Sequence, residues 1–257
     1  MEAGRVALEQ QVAPVTLANE QLLAVPEAVS GLFPRNGLQR GWSVGFTGTG
    51  GWSLALAMLG SAVGGDGWAA CVGLESLGLV AATEVGVKLD RLLMVESPGP
   101  EHLASVIASL VEVVDVVCLG PTPSIGIRDA RRLMARAREQ NAVLFHLDGG
   151  RTWPHPLDVD LAVTAGRWSG IGWGHGSLTT RPLEVRSSGR RSMAQPRRAK
   201  LLLPGPDGPP VPWESTIDDQ PLDDQPLDGR DTDGRDTDGR DTDGRDTEGR
   251  VIWPVSA

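Results

Sequence analysis

A glycine-rich stretch between an apolar run and a helical pattern is the part of this sequence best suited to binding phosphate. Residues 42–47 read as a buried strand, residues 48–51 as a turn with three glycines, and residues 52–63 as a helix. The same succession forms the phosphate-binding loop of nucleotide-binding proteins, in which backbone N–H groups surround the phosphates. The order of elements therefore predicts the architecture of such a loop.

The side chains that would hold a nucleotide are missing from this loop. The pattern G-x-x-x-x-G-K-[ST] needs a lysine for the β- and γ-phosphates and a hydroxyl for magnesium. When the pattern is aligned on Gly51 and Ser53, Trp52 stands at the lysine position. Tryptophan carries no charge and donates only through its indole N–H. The sequence therefore predicts a relic loop that binds no nucleotide and no other cofactor, made of Gly48, Gly50, Gly51, Trp52 and Ser53.

Other reactive side chains do not form a pattern that indicates catalysis or metal binding. Cys71 and Cys118 lie inside apolar runs, which is typical of buried core thiols. The four histidines form no pair at ligand spacing, so we expect no metal site. The G-x-S-x-G turn of serine hydrolases is absent from the sequence. We therefore expect no catalytic residue.

The strongest electrostatic signal is a basic stretch at residues 181–200. One acid, Glu184, accompanies seven basic side chains there. Such a stretch could bind the phosphate backbone of DNA or an acidic protein surface. No aromatic residue is interleaved, so a base-stacking platform is not indicated. The candidate residues for binding DNA or a partner are Arg181, Arg186, Arg190, Arg191, Arg197, Arg198 and Lys200.

Strands that alternate with helices position these residues. Strands are predicted at 42–47, 68–74, 92–95, 113–119 and 142–147, and helices at 52–63, 76–86, 101–113 and 127–140. This alternation predicts an α/β fold with a mainly parallel sheet flanked by helices. After residue 148 the helical period disappears, and strands predicted at 159–164, 177–186 and 199–203 are expected to extend one edge of the sheet as antiparallel strands.

Charge and repeats divide the 257-residue chain into three parts. The net charge is −9, but residues 205–250 carry fifteen acidic and five basic side chains, so the remainder is close to neutral. Two copies of DDQPL and four copies of DGRDT fill residues 218–247 without a repeating apolar side chain. We predict an N-terminal segment (1–22), an α/β domain (23–204) and a disordered acidic repeat tail with a short apolar end (205–257).

Several segments resemble the core of the RecA recombinase over roughly residues 23–150. The most specific are VGLE at 72–75, EVGVKLDRLLMV at 84–95 and VVDVVCL at 113–119. PE at 26–27, LQRG at 38–41, RW at 167–168 and GHG at 174–176 are similar to the RecA-like accessory proteins of actinobacterial mutasomes, the ImuA′ type. The ImuA′-type accessory proteins are degenerate members of the RecA fold family.

This resemblance implies a RecA-like sheet and a non-catalytic function in the DNA damage response. Such proteins support the assembly of an error-prone translesion synthesis complex. The implied partners are an inactive polymerase-like protein of the ImuB type and an error-prone replicative polymerase, with direct DNA contact left open. The protein is expected to be cytoplasmic, because no apolar run approaches the ~18 residues of a membrane span.

Two departures from active RecA support the loss of catalysis. The acid that ends the second nucleotide-site strand and binds magnesium in RecA falls at Gly120, and the lysine falls at Trp52. Glu75 matches the water-activating glutamate, but without phosphate contacts it is a relic acid that we expect to cap the next helix. Two alternatives stay open, a divergent ATPase or recombinase and a cell-division inhibitor of the SulA type.

Overall fold

The computed structural model describes residues 22–121, 125–147, 153–170 and 175–213. These residues belong to one compact unit, residues 1–215. Most of the predicted N-terminal segment and acidic tail, residues 1–21 and 214–257, lies outside the described residues.

Eleven strands and five α-helices form the described part of the chain. The strands are β1 Leu22–Leu23, β2 Leu38–Gln39, β3 Ser43–Thr47, β4 Ala69–Val72, β5 Leu92–Val95, β6 Val116–Leu119, β7 Val143–His146, β8 Val159–Ala165, β9 Pro182–Gly189, β10 Arg197–Leu202 and β11 Val211–Pro212. The helices are α1 Glu27–Ser30, α2 Gly51–Ala62, α3 Leu79–Glu84, α4 Pro100–Leu110 and α5 Ile127–Glu139. The predicted alternation of strands and helices is confirmed, with small shifts at the ends.

Nine strands form one sheet, in the order β11-β10-β9-β8-β3-β7-β6-β4-β5. The six strands from β8 to β5 are mutually parallel, and β9, β10 and β11 are antiparallel. The mainly parallel sheet with antiparallel strands at its C-terminal edge is therefore confirmed. The prediction that residues 159–164 run antiparallel is wrong, because β8 pairs parallel with β3. The sheet also reaches Pro212, beyond residue 204 where the sequence placed the domain boundary.

The two faces of the sheet bury separate apolar clusters. Helix α2 packs on one face, where its residues Leu54 and Met58 are fully buried in the first cluster. Helices α4 and α5 pack on the other face over β4, β6 and β7. Both cysteines are free and buried, and they face each other in register on β4 and β6, as expected for core thiols.

A buried carboxylate fastens the start of β3 to β8 and α5. The backbone N–H and the hydroxyl of Ser43 each donate to Asp158 Oδ2 at 3.1 Å. Arg138 at the end of α5 donates to Asp158 Oδ1 at 3.3 Å. Since Ser43 is fully buried, Asp158 accepts hydrogen bonds that water cannot replace.

Removing this carboxylate should lower the stability of the fold. We expect Asp158→Ala to reduce the free energy of unfolding by about 1–3 kcal/mol, because it leaves buried donors on Ser43 without an acceptor. Urea denaturation with an unchanged m-value measures this loss.

The matched control for this substitution is Asp66→Ala. The Asp66 carboxylate is fully exposed and lies 3.8 Å from Arg91, so its loss should change stability by about 0.5 kcal/mol or less. Equal losses in both variants would contradict a special contribution from Asp158.

Candidate functional site

The predicted loop lies at the carboxyl end of β3, where the chain turns into α2. Gly48 and Gly50 adopt φ values of 83° and 104°, a region that favours glycine. A Cβ atom at Gly48 would also overlap the carbonyl oxygen of Val163 on the neighbouring strand β8. The glycines therefore allow both the tight turn and the close approach of its backbone to β8.

The first turn of α2 has a positive end that the helix itself does not balance with an acidic side chain. The helix has no side-chain cap and no acidic residue in its first turn. Trp52, at the lysine position, is 36% exposed. The backbone geometry of the loop is thus suited to an anion, but the loop itself contributes no charged side chain.

A cation reaches this loop from a distant part of the chain. Arg181, immediately before β9, donates from Nη2 to Ser53 Oγ at 3.1 Å. Its guanidinium carbon lies 4.7 Å from the centre of the Trp168 ring. In the described part of the chain no carboxylate pairs with Arg181, and its buried Nε makes no hydrogen bond. Burial lowers the pKa of this guanidinium. The sequence placed Arg181 in a basic stretch, and nothing in its local pattern indicates contact with Ser53.

Gly120 and Glu75, the two positions that align with acidic residues of RecA, have structural roles in this fold. At Gly120, which follows β6, a Cβ atom would overlap the carbonyl oxygen of Gly73 and lie 2.8 Å from Leu74 Cδ2. An acidic side chain therefore cannot replace this glycine without a shift of the backbone. Glu75 Oε1 accepts a hydrogen bond from the backbone N–H of Ser97 at 2.6 Å. Backbone hydrogen bonds, from Glu75 itself and from Ser97, lower the pKa of the Glu75 carboxyl.

The expectation that Glu75 caps the next helix is wrong. Helix α3 begins after Gly78 without a side-chain cap. Ser97 follows β5, and Glu75 follows β4. The hydrogen bond between them therefore links the two segments that come directly after these neighbouring strands.

The basic stretch is divided among several surfaces rather than forming one patch. Arg186, Arg198 and Lys200 are exposed on β9 and β10. Arg197 points to the other face of β10, where Nη1 donates to the Gly31 carbonyl at 3.3 Å. Arg190 and Arg191 lie exposed in the connection between β9 and β10. Binding of DNA or a partner by these residues stays a prediction.

Comparison with known proteins shows the family of this chain. A family model described as the MT3502 N-terminal domain matches residues 31–155. The uncharacterized protein Rv3395c of Mycobacterium tuberculosis (strain ATCC 25618 / H37Rv) is 34% identical over 152 residues, which are 58% of this chain and 73% of that protein. The chain belongs to the family of Rv3395c.

A solved structure supports the fold independently. The flagellar accessory protein FlaH from Methanocaldococcus jannaschii superposes with a TM-score of 0.51 at 9% identity, covering 76% of this chain and 99% of FlaH. At this identity the likeness shows the fold alone. The expected RecA-like fold is therefore confirmed.

The matched family region separates two parts of the candidate site. Residues 31–155 include the loop, Glu75 and Gly120, whereas Arg181 and the rest of the basic stretch lie beyond them. Among the described residues no group of three or more potential ligands could hold a metal ion. The same residues contain no helix long and apolar enough to span a membrane.

A side chain at residue 120 should destabilise the fold. We expect Gly120→Ala to lower the free energy of unfolding by about 1–3 kcal/mol, because the new methyl group meets the Gly73 carbonyl and forces the backbone apart. Urea denaturation of the purified variant tests this.

Gly65→Ala is the matched control for this variant. No atom lies within 4 Å of the position where its Cβ would be, so its stability should change by about 0.5 kcal/mol or less. If Gly120→Ala were as stable as this control, the strands would have room for a side chain at residue 120.

Proposed function

We propose that this chain is a non-catalytic RecA-like accessory protein of the DNA damage response. It supports the assembly of an error-prone translesion synthesis complex through protein–protein contacts. Its partners are an inactive polymerase-like protein of the ImuB type and an error-prone replicative polymerase. The proposal joins the family resemblance in the sequence to the RecA-like fold and the altered loop.

The observation that carries the non-catalytic part is the replacement of two charged groups that phosphoryl transfer needs, the lysine and the magnesium-binding acid. Trp52 stands in place of the lysine, and Gly120 stands where the magnesium-binding acid would lie. Phosphoryl transfer depends on positioning and on stabilising charge at the phosphates. The Glu75 carboxylate accepts a hydrogen bond from the Ser97 backbone, and being negative it cannot supply the positive charge that the lysine would bring to the phosphates.

Nucleotide binding tests this part directly. We expect the purified chain to show no saturable binding of a fluorescent ATP analogue with magnesium, even at millimolar nucleotide, with or without single-stranded DNA. The reason is that Trp52 adds bulk without charge, while Arg181 is already hydrogen-bonded to Ser53. Fluorescence anisotropy is the measurement.

One observation favours the divergent ATPase as a second candidate. Arg181 brings a guanidinium to the loop from within the same chain, and arginine binds phosphate well. Saturable micromolar binding and release of phosphate from ATP, both lost in Arg181→Ala and kept in the exposed control Arg167→Ala, would establish this alternative. The non-catalytic proposal would then be wrong.

Capture of the polymerase-like partner tests the assembly part. Arg190 and Arg191 lie exposed in the β9–β10 connection and form no ion pair within the described residues. We expect the wild-type chain to retain the purified ImuB-type protein in a pull-down. Arg190→Glu with Arg191→Glu should reduce capture at least about tenfold. The new carboxylates would face an acidic partner surface, and like charges placed together at an interface cost several kcal/mol.

The control for charge reversal is Arg128→Glu with Arg131→Glu, on the exposed side of α5. This variant should retain the partner as the wild type does. A wild-type chain that does not bind the partner would contradict the proposed assembly function. Equal losses from both double variants would instead contradict the placement of the contact at Arg190 and Arg191.

A further inference from the structure

Within the described ranges, no helix covers one face of the sheet over β8, β9 and β10. The apolar cluster beneath α4 and α5 contains residues of β4, β6 and β7 but none of β8, β9 or β10. The inward apolar side chains of these three strands, such as Leu161, Val185 and Leu201, pack in the other cluster, beneath α2. Among the described residues the outward side chains of β8, β9 and β10 therefore meet solvent. We call this surface the open sheet face, represented by Ala162, Thr164, Glu184, Arg186, Arg198 and Lys200.

Strand register places two arginines side by side on this face. Arg186 on β9 pairs directly with Arg198 on β10. The third member of the same row is Ala162 on β8, which offers no charge. Like charges directly opposite each other in an antiparallel pair destabilise the sheet. An anion that lies between the two guanidinium groups would relieve this repulsion.

The chain compensates only part of the positive charge. Arg198 Nη1 lies 3.3 Å from Glu184 Oε1, and the Arg198 side chain is 69% exposed. Within the described residues Arg186 forms no ion pair, and the Lys200 ammonium lies 5.4 Å from the centre of the Trp213 ring. The other described acid on this face is Asp160 on β8, which is half-buried and pairs directly with Ser188 on β9. The pair Arg186–Arg198 thus retains an unbalanced cation.

The shape of the face determines the kind of anion. Sites for small molecules are concave and enclose most of the ligand, whereas this surface consists of three adjacent strands whose outward side chains are exposed or half-buried. An extended polyanion can follow such a surface and contact several cations in turn. The ring of Trp213, which adjoins Lys200, adds an aromatic surface of the type on which unpaired bases stack. The basic stretch itself contains no aromatic residue, and Trp213 comes to lie beside it only through the pairing of β10 with β11.

We infer that the open sheet face binds the phosphate backbone of single-stranded nucleic acid through Arg186, Arg198 and Lys200. This inference deepens the proposed function and rests on it for its biological setting. It assigns the nucleic-acid contact to β9 and β10, and leaves the loop and the β9–β10 connection for other contacts.

The salt dependence of oligonucleotide binding tests the inference on the full chain alone, without a polymerase partner. Binding of a fluorescein-labelled oligothymidine is followed by anisotropy across a series of salt concentrations. For the wild type we expect affinity that falls with salt. Arg186→Ala with Arg198→Ala should weaken binding and make the slope of log K against log[salt] shallower by about 1.4, at about 0.7 for each lost phosphate contact.

Two further double variants make this measurement specific. Arg128→Ala with Arg131→Ala removes the same charge from exposed positions on α5, and it should keep the wild-type slope. Arg186→Lys with Arg198→Lys keeps the charge and should also keep the slope, which separates a charge effect from a folding defect.

Three results would overturn the inference. The first is a wild-type chain that does not bind the oligonucleotide at low salt. The second is an equal change of slope in the α5 variant, which would show general attraction to a basic protein surface. The third is a normal slope in Arg186→Ala with Arg198→Ala together with lost capture of the polymerase-like partner, which would make the face a protein interface. Failed partner capture by the wild type with the expected slopes would count against the proposed function alone.

Discussion

Close contact between backbones at the carboxyl ends of the parallel strands is the constraint on which the candidate site depends. Gly48 lies against the carbonyl of Val163, and Gly120 lies against that of Gly73. Neither position has room for a Cβ atom. The same contacts hold the β3–α2 turn on β8 and bring the ends of β4 and β6 together. A RecA-like sheet is therefore kept, while the position at which a metal-binding acid would stand has no room for a side chain.

The charge at the loop follows from this arrangement. Helix α2 presents its positive end without an acidic cap, and Arg181, immediately before β9, brings a cation to the same loop. Its guanidinium is held by Ser53 on one side and by the Trp168 ring on the other. Such an arrangement fixes the antiparallel part of the sheet to the loop.

The antiparallel strands expose a different chemistry from the rest of the sheet. Helices α4 and α5 bury the face of β4, β6 and β7, whereas no described helix covers the same face of β8, β9 and β10. Because side chains alternate along a strand, the neighbouring residues Arg197 and Arg198 lie on opposite faces of the sheet. Arg197 thus contacts the Gly31 carbonyl while Arg198 remains exposed. The basic side chains that are continuous in sequence are therefore divided among several separate surfaces of the fold.

Local patterns were enough to predict the alternating strands and helices, the loop at residues 48–53 and the buried cysteines, since periodicity, glycine turns and apolar runs act over short distances. The parallel pairing of β8, the contact of Arg181 with Ser53 and the Arg186–Arg198 pair depend on residues far apart in sequence. The hydrogen-bond partner of Glu75 could not be predicted for the same reason, because its carboxylate accepts from Ser97, 22 residues away, rather than capping the next helix. Strand order and register decide such contacts, because they determine which distant side chains share a row, and no local pattern in the sequence encodes that arrangement.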